Sequence, residues 1–281
     1  MPLLYYWKQD NYYRDLDYGA GYHLNHANPL LHSIEIGDSL WAFTRNKNGY
    51  YVLAAELVIK AKTFNPPNFR YGKYRVWGDL TKSKYFNVDN EPSIEQVIRS
   101  FDISAKASIL GRSFQGFSSV RKINIAEHQI LFYFSKKLPL EPRARILPEE
   151  KLEAELLLGN TDIVEQLVKK EPSGISLKRK EYLYKTAPKR NTNLVKELQG
   201  IYKGKCQICE WTPIYIYGVN LCEGHHFQWI SRGGEDKLDN MVLICPNHHS
   251  AIHKCDAPLD YKDLAFDFGG FREKLQLNKH L

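Results

Sequence analysis

The residues best equipped for chemistry crowd into the last third of the chain. Cys206, Cys209, Cys222, Cys245 and Cys255 all lie beyond residue 205, and five of the ten histidines fall between His225 and His253. An odd number of cysteines confined to one segment argues against a disulfide framework and for metal ligation. Cys206-x-x-Cys209 and Cys245-Pro-Asn-His248 are two knuckles of the kind that each give two ligands to a tetrahedral zinc, because a two-residue gap lets a tight turn aim both side chains at one ion. A structural Zn²⁺ held by Cys206, Cys209, Cys245 and His248 is therefore expected. Cys222 and Cys255 have no knuckle partner and are expected to be buried thiols.

Between and beyond the knuckles runs EGHHFQWISRGGEDKLDNMVLICPNHHSAIH, residues 223–253. His249 and His253 are four apart on what should be a helix opened by Pro246, so they share a face. His225, at the end of a preceding strand, can complete a three-ligand site that leaves room for water and phosphate, the open coordination sphere a catalytic ion needs. His226 points to the other face of that strand, since neighbouring side chains alternate, and is available as a general base. Ser231 to Gly234 (SRGG) makes a turn. Asn240, opening the apolar run Met241 to Ile244, can fasten the loop bearing His226 through side-chain to backbone hydrogen bonds.

Taken together, His226, Asn240 and His249/His253, with His225 before the base and the knuckles outside, resemble an HNH (ββα-metal) endonuclease over residues from about Val195 to Leu281. The His-His, Asn, His-x-x-x-His spacing is similar to that of the colicin-type nucleases, and the knuckles with the Gly-Gly turn resemble restriction endonucleases of the HNH class. One departure is His248, where many relatives have cysteine, and it leaves open which of His248 and His249 completes the zinc site. The resemblance implies phosphodiester hydrolysis: His226 deprotonates water, while one divalent ion (Mg²⁺, Mn²⁺, Ni²⁺ or Zn²⁺) held by His225, His249 and His253 stabilises the transition state. It also implies products with 5′ phosphate.

Elements elsewhere must position and direct this site. The chain of 281 residues suggests two domains of ordinary globular composition, with 43% apolar and 25% charged residues. Lys+Arg 39 against Asp+Glu 32 leaves a net charge of +7. Residues 175–205 hold nine Lys/Arg against two Glu, a net of +7 in that stretch alone. Lys178, Arg179, Lys180, Lys189 and Arg190 read as phosphate contacts on a basic arm, with Arg232 in the nuclease turn as another; a solvated linker is the plainer reading of such a run. The longest apolar runs, such as Ile130 to Phe134, fall far short of the ~20 residues of a spanning helix. The opening MPLLYYWKQD lacks the pattern of a secretory signal, so a cytoplasmic location with no membrane partner is expected.

Residues 1–142 read as a β-rich domain, with strands at LLYYW, Ser39 to Thr44, Tyr50 to Ile59, Tyr74 to Trp77 and Gln129 to Phe134, a hairpin turn at Asn46 to Gly49 and one helix near Ser93 to Phe101. This region resembles the PUA-like barrels of the EVE type, chiefly through Ile36-Gly37-Asp38 and the strand order. Such barrels bind modified bases, and the resemblance implies a reader that directs cutting to modified DNA. A flipped base needs an aromatic-walled pocket with polar groups at its edge, for which Trp7, Tyr22, Trp77, Asp79, Tyr85 and Gln115 are candidates. Residues 143–194 read as a helical and basic connector, with helices at Glu149 to Leu158 and Asp162 to Lys170.

The expected molecule is an α+β multidomain protein: an N-terminal PUA-like barrel, the connector, and a zinc-stabilised ββα-metal HNH domain over residues 195–281. Its expected partner is double-stranded DNA carrying modified bases. An HNH enzyme reading an unmodified sequence and a non-catalytic zinc-containing regulator that binds nucleic acid are the alternatives. Breaking both strands from one active site requires a homodimer or sequential nicking, and no residue pattern chooses between them.

Overall fold

The computed structural model describes residues 1–145, 160–169 and 192–281, together with Lys151, Leu152, Glu155 and Glu181. They form two compact units, residues 1–16 with 22–144 and residues 17–21 with 145–281. Lys178, Arg179, Lys180, Lys189 and Arg190 lie outside the described residues, as does most of the first connector helix; the second is the helix Thr161–Lys169. Among the described residues, no helix is long and apolar enough to cross a membrane.

The N-terminal unit is built on β1 (Leu3–Tyr6), β2 (His23–His26), β3 (Ser39–Arg45), β4 (Tyr51–Phe64), β5 (Tyr74–Gly78), β6 (Lys84–Tyr85) and β7 (Val120–Lys122). The strand order is β2-β5-β4-β3-β1-β7, with β6 also on β4; β1 and β3 run parallel and the other pairs antiparallel. Asn46 to Gly49 makes the β3–β4 turn, closed by donation from Gly49 N to Asn46 O, with Gly49 at φ +87°. Register shifts at Ala42/Phe43 and at Ile59/Ala61 mark irregularities of the kind that bend a strand. The fourteen-residue β4 therefore pairs with β3 along its first half and β5 along its second, which curls the sheet.

The expected closed barrel is, in the described residues, a curled half-barrel, because no ladder joins β2 to β7. Side chains tie its ends instead: the His26 ring and Ser119 Oγ lie 2.7 Å apart, and Asn28 Nδ2 donates to Phe117 O at 2.8 Å. Leu4, Trp41, Phe43, Leu53, Phe86, Ile94, Ile98, Leu110 and Leu131 fill its core.

Two sequence expectations need correction. Gln129 to Phe134 is not a strand but part of the helix Ile125–Ser135. Its start is fixed by a capping box in which Asn124 Oδ1 accepts from Glu127 N while Glu127 Oε2 accepts from Asn124 N. Glu127, Leu131 and Ser135 form its buried stripe, a fourfold spacing that the continuous run ILFYF conceals. The second miss is the helix Gln9–Tyr18, which buries Tyr12 and Leu16 within a polar sequence. The helix near Ser93 to Phe101 spans Glu95–Arg99.

In the C-terminal unit, β8 (Glu223–His226) and β9 (Met241–Ile244) form an antiparallel pair, and the helix Pro246–Cys255 follows directly. Pro246 suits the first turn of that helix, where its missing N–H has no partner to lose. The helix Thr192–Tyr202 packs on both strands, and β10 (Leu259–Asp260), β11 (Ala265–Asp267) and β12 (Arg272–Lys274) form a small sheet. Leu198, Ile208, Met241 to Ile244, Ile252 and Phe266 make the core.

Candidate metal centres and active site

Two groups of ligating side chains form in the C-terminal unit, and the helix Pro246–Cys255 feeds both. In the first, Cys206, Cys209, Cys245 and His248 bring one ligand atom each to within 4.8 Å of one another. His248 Nδ1 lies 3.1 Å from Cys245 Sγ and 3.6 Å from Cys206 Sγ, and Cys209 Sγ lies 4.0 Å from Cys245 Sγ. Atoms sharing a tetrahedral zinc at ~2.0 to 2.3 Å are separated by about 3.4 to 3.8 Å, so the donor set fits that ion. Burial pushes the Cys206 thiol up to about 12 and raises that of Cys245, so neither becomes a thiolate readily without a cation. His248 Nε2 is 3.4 Å from Glu273 Oε2, an outer carboxylate of the kind that orients a ligating imidazole.

Gln207, inside the first knuckle and wholly buried, holds this region together. Its Nε2 donates to Leu277 O at 3.0 Å, and its Oε1 accepts from Leu243 N at 2.8 Å. Sequence reasoning passed over it, although a polar residue between two ligating cysteines has little room except against the backbone. Of the two cysteines outside the knuckles, Cys222 is buried as expected, whereas Cys255 is exposed near the helix end.

The second group is His225, His249 and His253, all buried, with ligand atoms again within 4.8 Å of one another. His249 and His253 bring their Nε2 atoms to 3.2 Å, close to the roughly 3.4 Å expected of two nitrogens on one tetrahedral ion. His249 Nδ1 donates to Glu223 Oε2 at 2.7 Å, which places the ring proton on Nδ1 and turns the Nε2 lone pair toward His253. The donor set thus fits a nitrogen-ligated divalent ion. Glu223 was not foreseen, although its position two residues before His225 in a strand puts both side chains on one face.

His226 makes a different set of contacts. Its Nε2 lies 2.8 Å from Asp236 Oδ1, and both side chains are buried. Donation to that carboxylate puts the ring proton on Nε2 and leaves Nδ1 as the basic nitrogen. Asp236 sits in the GGED run and carried no signal of its own. Asn240 fastens the intervening loop: its Oδ1 accepts from Gln228 N at 2.9 Å, and its Nδ2 donates to Gln228 O at 3.1 Å and Glu235 O at 2.7 Å. The Gly-Gly turn is sterically required. Gly233 adopts φ +80°, and a Cβ on Gly234 would meet Gln228 O at 1.9 Å.

Arg232 is not placed as a surface phosphate contact. It is 3% exposed, donates to both carboxylate oxygens of Asp256 at 2.7 and 3.0 Å, and lies 4.5 Å over the Trp229 ring. Trp229 in turn lies 5.1 Å from the His253 ring, so Arg232 backs a histidine of the candidate metal site.

The six base-pocket candidates in the N-terminal unit meet only in part. Tyr85 lies 4.9 Å from Tyr22 and 6.0 Å from Trp7 between ring centroids, and Tyr22 holds the unusual φ of +52°. Trp77 is buried against Arg75 and His23, donating to Thr63 Oγ1. Burial alone would raise the Asp79 carboxyl, but its Oδ1 caps a turn by accepting from Thr81 N and Oγ1, and with the neighbouring Lys82 these bonds hold it below the usual range; Gln115 is exposed.

Comparison with known proteins agrees with this geometry. Residues 206–254 match the HNH endonuclease family model. The chain is 31% identical over 99 residues to the type IV methyl-directed restriction enzyme EcoKMcrA of Escherichia coli (strain K12), an alignment covering 32% of this chain and 34% of that protein. It is also 27% identical over 74 residues to anaredoxin of Nostoc sp. (strain PCC 7120), covering 26% of this chain and 88% of the relative. The chain thus spans about a third of the length of the Escherichia coli relative. The C-terminal unit carries an HNH endonuclease domain, residues 206–254.

Proposed function

We propose that the protein is a metal-dependent DNA endonuclease of restriction type, directed to modified bases by its N-terminal unit. The observation that carries the nuclease reading is the division of labour on β8. His225 faces His249 and His253, whereas its neighbour His226 faces Asp236. His225, His249 and His253 would hold a divalent ion, which would supply a Lewis acid for the scissile phosphate. His226, held by Asp236 with its proton on Nε2, accepts a proton from the attacking water through Nδ1. Asn240 fixes the loop that carries Asp236, so the base keeps its orientation as substrate arrives.

Direction to modified DNA is supported by the similarity, over 99 residues, to a methyl-directed restriction enzyme. Within the N-terminal unit, Trp7, Tyr22 and Tyr85 form the aromatic cluster to which we assign base recognition. The arm bearing Lys178, Arg179, Lys180, Lys189 and Arg190 supplies phosphate contacts.

The test is cleavage of matched unmodified, methylated and hydroxymethylated duplexes with Mg²⁺, Mn²⁺ or Ni²⁺, by wild type and His226→Ala. Cutting of modified duplexes alone, abolished in the variant with DNA binding retained, is expected. Equal cutting of all three duplexes removes the reader assignment. Absence of cutting under every metal favours a zinc-containing regulator.

A further inference from the structure

Cys209 differs from the other cysteines of the four-donor cluster in standing at the surface. Cys206 is 0% and Cys245 5% exposed, whereas Cys209 is an exposed residue. The asymmetry comes from the turn of the first knuckle. Cys206 N donates to Trp211 O at 3.0 Å, and Cys206 O accepts from Glu210 N at 2.9 Å, with Glu210 at φ +58°. The backbone therefore closes around Cys206 and leaves Cys209 in the turn.

Cys209 and His248 line an open cavity of about 420 Å³ together with Arg272, Lys274 and Gln276. A water molecule takes roughly 30 Å³ of liquid, so a small polar solute has room to meet the Cys209 sulfur. Arg272 is held by Asp260, Asp263 and Asp267, while Lys274 brings a second cation to the same wall. Exposed thiols near cations are the ones that react, whereas buried structural thiols are inert.

A partner thiol stands within reach. Cys209 Sγ lies 4.0 Å from Cys245 Sγ. A disulfide holds its sulfurs roughly 2 Å apart, so a side-chain movement of about 2 Å would join them. The cysteines outside the cluster are placed otherwise. Cys222 is buried with its Sγ 4.0 Å from Trp211 O. Cys255 is exposed but ends the helix that Cys245 caps, about 15 Å along its axis at 1.5 Å per residue.

We propose that Cys209 is an oxidant-reactive thiol that forms a disulfide with Cys245 on meeting hydrogen peroxide, so that oxidation dismantles the four-donor cluster. Cys209 Sγ attacks one peroxide oxygen as the O–O bond breaks, giving a sulfenic acid and one water. Cys245 Sγ then forms the S–S bond and displaces that oxygen as a second water. The two thiols together lose two electrons and two protons, and one peroxide becomes two waters. Two of the four donors are then tied up, and an ion held there would be released. Cys245 caps the helix that carries His249 and His253, so the same bond would pull on the second cluster. This goes beyond the nuclease reading and does not depend on it.

The experiment treats the full chain carrying Cys255→Ser with increments of hydrogen peroxide. It then alkylates under denaturing conditions and maps the cysteines by peptide mass, while a chromogenic chelator reads released zinc. Expected are a first product lighter by two hydrogens, a Cys209–Cys245 linkage, and one zinc freed per disulfide from the zinc-loaded chain, all reversed by dithiothreitol and added zinc. Cys209→His, which keeps four donors but removes the exposed sulfur, should slow zinc release roughly tenfold or more. Because mapping reads the thiols directly, it decides the matter whether or not that variant folds and whether or not the chain cleaves DNA. A first linkage between any other pair, or full alkylation of the four remaining cysteines after peroxide, would overturn the assignment. So would release from Cys209→His at the wild-type rate.

Discussion

The two ligand clusters of the C-terminal unit take donors from one ten-residue helix and differ in almost every other respect. His248 turns Nδ1 toward three cysteines and sets Nε2 near Glu273, whereas His249, the next residue, donates from Nδ1 to Glu223 and turns Nε2 toward His253. Successive residues on a helix point about 100° apart, so neighbouring imidazoles reach separate centres. One cluster has four donors, three of them sulfur, and so closes a tetrahedron. The other has three nitrogens with the buried His226 beside it, so an ion held there would keep a position open. The same carboxylate–imidazole device thus stands beside a donor set that would close a tetrahedron and one that would leave it open.

The largest effect should come from emptying the four-donor cluster. Structural zinc contributes roughly 10 to 16 kcal/mol in small fingers, comparable with the ~5 to 15 kcal/mol total stability of a whole domain. Cys206→Ser with Cys209→Ser should therefore unfold the C-terminal unit, seen as loss of its calorimetric transition, while the N-terminal unit still melts cooperatively. A C-terminal transition surviving at full enthalpy would deny this cluster its structural role. Next comes His249→Ala, for which a cleavage loss of at least about 10³-fold is expected with one zinc per chain retained by elemental analysis. Loss of that zinc in step with activity would merge the two centres.

The sequence revealed these clusters because ligand chemistry is local: two knuckles and a His-x-x-x-His helix declare themselves by spacing. What it hid were partners whose meaning depends on the third dimension. Asp236 and Glu223 are ordinary acids until β8 and the Gly-Gly turn bring them to His226 and His249. Arg232 looked like a phosphate contact because its type and its turn suit one, and only the packing against Trp229 and Asp256 assigns it elsewhere. In the N-terminal unit, most strands followed from β-branched and aromatic runs bounded by turns. The helix Ile125–Ser135 did not, because its apolar run is continuous and Asn124 and Glu127 signal its start only as a pair.

Arg232 yields the third prediction. Its guanidinium and the Asp256 carboxylate, at the left-handed residue ending the metal helix, form a shielded bidentate pair. An acid at a helix C-terminus opposes the helix dipole, so the arginine offsets an unfavourable charge as well as making two bonds. Removing one partner of a buried pair costs about 3 to 5 kcal/mol, and the lower figure suits Asp256, which is partly exposed. Arg232→Ala should lower the midpoint of denaturant unfolding of the C-terminal unit accordingly and leave the salt dependence of DNA binding unchanged. A flattened salt dependence with unaltered stability would return Arg232 to the role of a phosphate contact.

The smallest effect tests the comparison most finely, by altering the outer carboxylate of each centre without touching a ligand. Glu223→Gln keeps an oxygen that can accept from His249 Nδ1 but removes the charge that makes the imidazole a stronger donor; such outer changes typically cost 10- to 100-fold in metal affinity or activity. The expected result is a rise of that order in the metal concentration giving half-maximal cleavage, with stability unmoved. Glu273→Gln should do less, because Glu273 stands 3.4 Å from His248 where Glu223 stands 2.7 Å from His249, and three cysteines would already fix an ion held there. Its signature is faster zinc loss to a chelator with the metal dependence of cleavage unchanged. If Glu273→Gln shifted that metal dependence as far as Glu223→Gln, the two centres would be coupled through the helix they share, and the separation argued from neighbouring imidazoles would not hold.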